Sequence, residues 1–156
     1  MTRIAGLAWA WDVPVTRWGW TYSIKRGAFR DAIKASKTNP VPVLWGHNEY
    51  IIPVGTITSM REDETGLWFE ATLIDTELAA DLVKAIRAGA VRAPSVSFPI
   101  DSAEMKTDND AETTQFTRLE LREISAVTFA AHPAASLWIV DDTAQQPNSA
   151  NGAQEK

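Results

Sequence analysis

Three side chains in this sequence have the chemistry needed for nucleophilic catalysis by a serine. The sequence contains no Cys and only two His, so a cysteine nucleophile is excluded and any histidine chemistry uses His47 or His132. A serine hydroxyl is a poor nucleophile until a base takes its proton, and a third group must hold that base in the right tautomer. Ser95, His47 and Glu123 could supply the nucleophile, the general base and the orienting carboxylate.

Each of these residues also has an ordinary structural explanation, and the spacing of the three does not decide between them. His47, which follows an apolar run, is compatible with a surface residue, and Ser95 with a turn residue. Glu123 lies among apolar neighbours, where a carboxylate needs a partner, and Arg118 or Arg122 could provide a salt bridge. The Gly-x-Ser-x-Gly motif is absent from the sequence, which argues against an esterase of the α/β-hydrolase class.

The composition bounds the kind of protein. A chain of 156 residues buries about 69% of its unfolded surface, which suits a single hydrophobic core. A net charge of −5 argues against a nucleic-acid partner, because phosphate binding needs a basic face. We recognise neither a membrane-spanning stretch nor a targeting segment, and so expect no membrane contact and action where the protein is made. The His residues and Glu123 lack metal-ligand spacing, so we expect no metal and no cofactor.

The elements that must position these residues are many short strands with two helices between them. The predicted strands are Ile4–Trp11, Val41–Trp45, Val54–Met60, Leu67–Ile74, Ser95–Ile100 and Leu137–Val140. Phe116–Glu123 and Ile124–Ala130 are predicted to form one long or bent strand, or two consecutive strands. We expect residues 12–26 to be irregular and residues 101–114 to be a polar loop.

The first predicted helix covers Ala28–Lys37. The second begins after the N-cap Thr76 and ends at Gly89, with an apolar stripe of Leu78, Leu82, Val83 and Ile86. Together the elements predict an α+β or mainly β fold, a small β-barrel or mixed sheet carrying helices on its outside. Residues 1–140 form this domain, and the polar segment 141–156 is predicted to be a disordered tail.

Short motifs follow one another in a particular order along residues 4–140. In the first half they are Gly6-x-Ala8, Gly27-Ala28-Phe29, Val41-Pro42-Val43-Leu44-Trp45-Gly46-His47, Pro53-Val54-Gly55 and Glu62-Asp63-Glu64-Thr65-Gly66-Leu67. In the second half they are Ile86-Arg87-Ala88-Gly89-Ala90-Val91, Ser95-Val96-Ser97-Phe98 and Leu121-Arg122-Glu123-Ile124-Ser125-Ala126-Val127-Thr128-Phe129, running into Ala130-Ala131-His132-Pro133. Read together, they resemble the prohead (capsid maturation) serine proteases of tailed bacteriophages.

The resemblance implies a fold akin to the herpesvirus assembly proteases, a small β-barrel surrounded by helices. It implies a serine endopeptidase that cuts scaffold protein, or the scaffolding segment of the major capsid protein, inside the immature shell in the cytoplasm of the host. A homo-oligomer is compatible with this reading. Carried over from the motifs, Ser95 is the nucleophile, His47 the general base and Glu123 the orienting group.

Two departures from the family pattern leave alternatives open. Ser97 replaces the glycine of the usual Ser-x-Gly-Phe motif, and strand alternation would put its hydroxyl on the same face as that of Ser95. The herpesvirus relatives use a second His as third member, so His132 is a rival to Glu123. A function of another class is also open: a catalytically inert module of the same fold that acts as a scaffold or assembly factor.

Overall fold

The structure is a computed structural model and describes residues 1–140. In that range the strands are β1 (Arg3–Ala10), β2 (Val15–Arg17), β3 (Trp20–Ile24), β4 (Pro42–Trp45), β5 (Gly55–Glu62), β6 (Gly66–Leu73), β7 (Ala93–Ser97), β8 (Glu104–Asp108), β9 (Thr113–Arg118), β10 (Glu123–Val127) and β11 (Ser136–Val140). The helices are α1 (Arg30–Ser36) and α2 (Glu77–Arg87). The tail predicted for 141–156 lies outside the described residues.

The main sheet has seven strands in the order β11-β1-β6-β5-β4-β10-β7. Its two ends approach each other, because β7 contacts β1 and β11, and the amide of Leu137 donates to the carbonyl of Arg92 at 2.9 Å. The sheet is therefore a nearly closed barrel, and the predicted barrel with outer helices is confirmed. Trp9, Phe29 and Phe116 are the largest side chains buried in the core.

A second sheet, in the order β2-β3-β9-β8, corrects two predictions. Residues 12–26 were expected to be irregular, yet they contain β2 and β3. Trp20 and Tyr22 of β3 pack on Phe116 of β9, with ring centroids 5.6 and 5.8 Å apart. These contacts are distant in sequence, so a local pattern does not reveal them. The expected loop 101–114 contains β8, whose residues are all exposed and so lack the alternation by which strands are recognised.

Both helices and the hairpin of β5 and β6 are confirmed. The Thr76 side chain accepts from the amide of Ala79 at 3.2 Å and caps α2. Ala79, rather than the predicted Leu78, completes the buried stripe, and Leu78 is 37% exposed. No helix within residues 1–140 is long and apolar enough to cross a membrane.

The strands that carry the candidate residues lie side by side. The segment left open as one strand or two is two strands in different sheets, β9 in the second and β10 in the main one. β10 lies between β4, to which it runs parallel, and β7, to which it runs antiparallel. His47 follows β4, Ser95 lies on β7 and Glu123 begins β10, so three neighbouring strands bring them together.

Candidate active site

The register between β7 and β10 gathers four polar side chains on one face of the sheet. Ser95 is directly opposite Ser125, and Ser97 is directly opposite Glu123. Directly opposed residues point to the same face, as do residues two apart on one strand. All four side chains therefore share this face, with opposed Cβ atoms about 5 Å apart.

A turn with left-handed backbone delivers His47 to this face. Gly46 and His47 follow β4 with φ values of 62° and 58°, and the amide of Gly46 donates to the carbonyl of Ala126 at 2.9 Å. Left-handed backbone is uncommon for a residue with a side chain and, when it persists, it is held by its surroundings. Here the imidazole contacts Glu123 on the neighbouring strand β10.

His47 and Glu123 form a close pair through Nδ1 of the imidazole and Oε1 of the carboxylate. Glu123 is 4% exposed, whereas 38% of the His47 side chain is accessible. A carboxylate acceptor at Nδ1 places the imidazole proton there, and the lone pair is then on Nε2. The pair thus has the composition of a general base with its orienting group.

Ser125 links the two members of this pair. It is fully buried, and its hydroxyl donates to Glu123 Oε2 at 2.7 Å while accepting from the amide of His47 at 2.9 Å. Sequence analysis gave Ser125 no role. The signal was present as a second polar residue two positions after Glu123 in an otherwise apolar strand, which strand alternation puts on the same face.

The arginines considered as partners of Glu123 bind elsewhere. Arg118 pairs with Asp31 at 2.8 Å and with Glu104 at 3.0 Å. Arg122 pairs with Glu49 at 3.0 Å. The interpretation of Glu123 as one half of an arginine salt bridge is therefore wrong.

His132 does not lie at this site. It is 2% exposed, its ring meets that of Trp9 edge-on with centroids 4.5 Å apart, and both ring nitrogens bond the backbone. Nε2 donates to the carbonyl of Ala10 at 3.1 Å, and Nδ1 accepts from the amide of Ala134 at 3.0 Å. Burial lowers the pKa of His132, since the charged imidazolium loses its hydration. These contacts are those of a neutral histidine that packs the barrel.

Ser95 and Ser97 remain the two candidate nucleophiles. Ser95 is 6% exposed and Ser97 is half-buried, and within residues 1–140 no hydrogen bond joins His47 to Ser95. Such bonds are often long in the absence of substrate, so the separation does not remove either hydroxyl. In the same range no three His, Asp or Glu side chains cluster so that they could hold a metal ion.

Comparisons with known proteins agree with this arrangement of strands. The protease of Kaposi's sarcoma-associated herpesvirus, solved with a hexapeptide phosphonate inhibitor, superposes with a TM-score of 0.57 at 13% identity over 90% of this chain and 65% of that chain. The same protease with a dimer disruptor gives a TM-score of 0.56 at 11% identity over 92% of this chain and 78% of that chain. The predicted herpesvirus-protease-like fold is therefore confirmed.

Similarity at the sequence level is more specific. The prohead protease of Enterobacteria phage HK97 is 35% identical over 115 residues, 71% of this chain and 49% of that protein. The chain thus spans about half the length of the curated relative that it matches. The family model described as Caudovirus prohead serine protease matches residues 1–149. On this match the chain belongs to the caudovirus prohead serine protease family.

Proposed function

We propose that this chain is a serine endopeptidase in which Ser95 is the nucleophile, His47 the general base and Glu123 the group that orients the base. The observation that carries the proposal is the His47–Glu123 pair, formed over the strand next to the one that holds Ser95. Family membership supports the reaction class. The half-exposed imidazole supports a site that substrate can reach.

In the first half of the proposed reaction Ser95 is acylated. Its Oγ attacks the carbonyl carbon of the scissile peptide bond while His47 Nε2 takes the hydroxyl proton. The negative charge of Glu123 stabilises the imidazolium that forms. The imidazolium then gives the proton to the departing amine as the C–N bond breaks, which leaves an ester on Ser95.

In the second half a water molecule hydrolyses that ester. His47 Nε2 takes a proton from the water as its oxygen attacks the acyl carbon, and then returns the proton to Ser95 Oγ as the ester bond breaks. The products are a free carboxylate and the original serine. Because only protons move between protein groups, the cycle consumes neither a cofactor nor a redox partner.

We favour Ser95 over Ser97 because of the positions of both in the motif and the sheet. Ser95 aligns with the first serine of the Ser-x-Gly-Phe motif, and it faces Ser125, whose hydroxyl already contacts the backbone of His47. Ser97 faces Glu123 itself. A hydroxyl beside the carboxylate would interact with the orienting group rather than with Nε2.

The proposed substrates are the scaffold protein or the scaffolding segment of the major capsid protein, cut inside the immature prohead in the host cytoplasm. The name of the HK97 relative and the family description support a role in the prohead. A homo-oligomer remains compatible with this function, and neither nucleic acid nor membrane is part of the proposal.

Co-expression with the cognate scaffold and capsid proteins tests the proposal. Mass spectrometry should find new termini with the parent chain, none with Ser95→Ala, and unchanged termini with Ser97→Ala as the matched control. Cleavage that survives Ser95→Ala and is lost in Ser97→Ala would move the nucleophile to Ser97. Assembly that needs the chain but yields no new termini would favour the inert assembly module.

A further inference from the structure

Ser125 occupies a position from which one hydroxyl fixes both members of the base pair. It is fully buried, and its proton goes to Glu123 Oε2 while its oxygen accepts the amide of His47. A hydroxyl has one proton and two lone pairs, so the two bonds form together. Because Ser125 binds Oε2, the other carboxylate oxygen, Oε1, faces His47 Nδ1.

We propose that Ser125 is a positioning residue that selects the tautomer of His47 with the proton on Nδ1. Without this hydroxyl the carboxylate of Glu123 can rotate, and the left-handed turn at His47 loses the acceptor of its amide. Both changes loosen the contact that holds the proton on Nδ1, and Nε2 becomes protonated in part of the molecules. A protonated Nε2 cannot take a proton from a nucleophile.

This inference rests on the proposed function only for its kinetic consequence. The tautomer is a property of the resting protein and can be read from the ring nitrogen chemical shifts of His47. Turnover requires in addition that His47 be the base. Measuring both separates a failure of the inference from a failure of the proposed mechanism.

The experiment compares Ser125→Ala with Thr114→Val. Thr114 is also a buried hydroxyl, it accepts from Trp20 Nε1 at 3.2 Å, and it lies on β9 in the second sheet. Each substitution removes one buried hydroxyl, but only the first touches the His47–Glu123 pair. Ser125→Cys keeps the volume with a weaker donor and gives the same readout if the alanine variant does not fold.

The ring nitrogens are measured at neutral pH in the Ser95→Ala background. We expect the parent and Thr114→Val to have unprotonated Nε2, and Ser125→Ala to show averaged shifts at both nitrogens. With active Ser95, turnover should fall about 10–100-fold in Ser125→Ala at unchanged KM, as when a supporting hydrogen bond is removed elsewhere. Thr114→Val should keep both values.

Parental nitrogen shifts in Ser125→Ala would overturn the inference, as would equal loss of turnover in Thr114→Val. If the tautomer changes as expected in a chain that cleaves nothing, the inference on Ser125 stands and the proposed function fails.

Discussion

Glu123→Gln is the substitution that most sharply separates charge from shape at this site. Gln has the same outline as Glu, so the packing of the buried side chain is retained. The amide has one acceptor oxygen, however, whereas the carboxylate accepts from both His47 and Ser125. One contact must therefore be lost or reversed, and the negative charge beside the imidazole is lost.

The expected loss of turnover is about 10²- to 10⁴-fold, the upper value being that for a triad carboxylate replaced by its amide in another serine protease. At about 1.4 kcal/mol for each factor of ten, this corresponds to roughly 3–5 kcal/mol of transition-state stabilisation. The larger value applies if the amide NH₂ faces His47 Nδ1, because the imidazole then holds its proton on Nε2. The smaller value applies if the amide oxygen faces Nδ1 and only the charge is missing.

The assay is the rate of cleavage of a scaffold-derived substrate, with circular dichroism as the folding control. Glu62→Gln is the matched variant, because the Glu62 carboxylate accepts from the amides of Gly27 and Phe29 away from the catalytic strands. It should lower the melting temperature and leave turnover unchanged. A Glu123→Gln variant within threefold of the parent rate would refute the orienting role of Glu123.

Three further outcomes are expected. Ser95→Ala and His47→Ala should each abolish cleavage, and the double variant should be hardly slower than either, because the two act as a unit; losses that multiply in the kinetic assay would contradict this. Burial lowers the pKa of His132, so the folded state binds its proton less readily than the unfolded state, and stability should fall as pH drops below about 6.5. Urea unfolding should show a loss of up to about 1.4 kcal/mol per pH unit that is absent from His132→Ala, and equal slopes in the two proteins would refute it. Gly46→Ala should destabilise the fold by about 1 kcal/mol in the same assay, since φ is +62° with open space around the added Cβ, and no loss would show that the turn relaxes.

The sequence predicted the elements whose pattern is local. The hairpin of β5 and β6 alternates visibly, and α2 carries its own N-cap at Thr76. The small second sheet was missed because β8 is wholly exposed and β3 is held by distant aromatic contacts to Phe116. No local pattern reports such contacts.

The candidate site divides in the same way. His47 and Glu123 were predicted from their motifs, and the structure brings them into contact. His132 was a rival because sequence alone cannot tell that both of its ring nitrogens bond the backbone near Trp9. Ser125 was overlooked because its role depends on register between strands: only the pairing of β10 with β4 and β7 puts its hydroxyl between Glu123 and the amide of His47.

The central claim is that Ser95 is a nucleophile activated by His47. The most direct test is reaction of the full chain with a fluorophosphonate, followed by tandem mass spectrometry to find the modified residue. The account predicts one adduct, on Ser95, that forms in the parent and in Ser97→Ala and is lost in His47→Ala. An adduct on Ser97, or labelling of Ser95 that does not depend on His47, would contradict it.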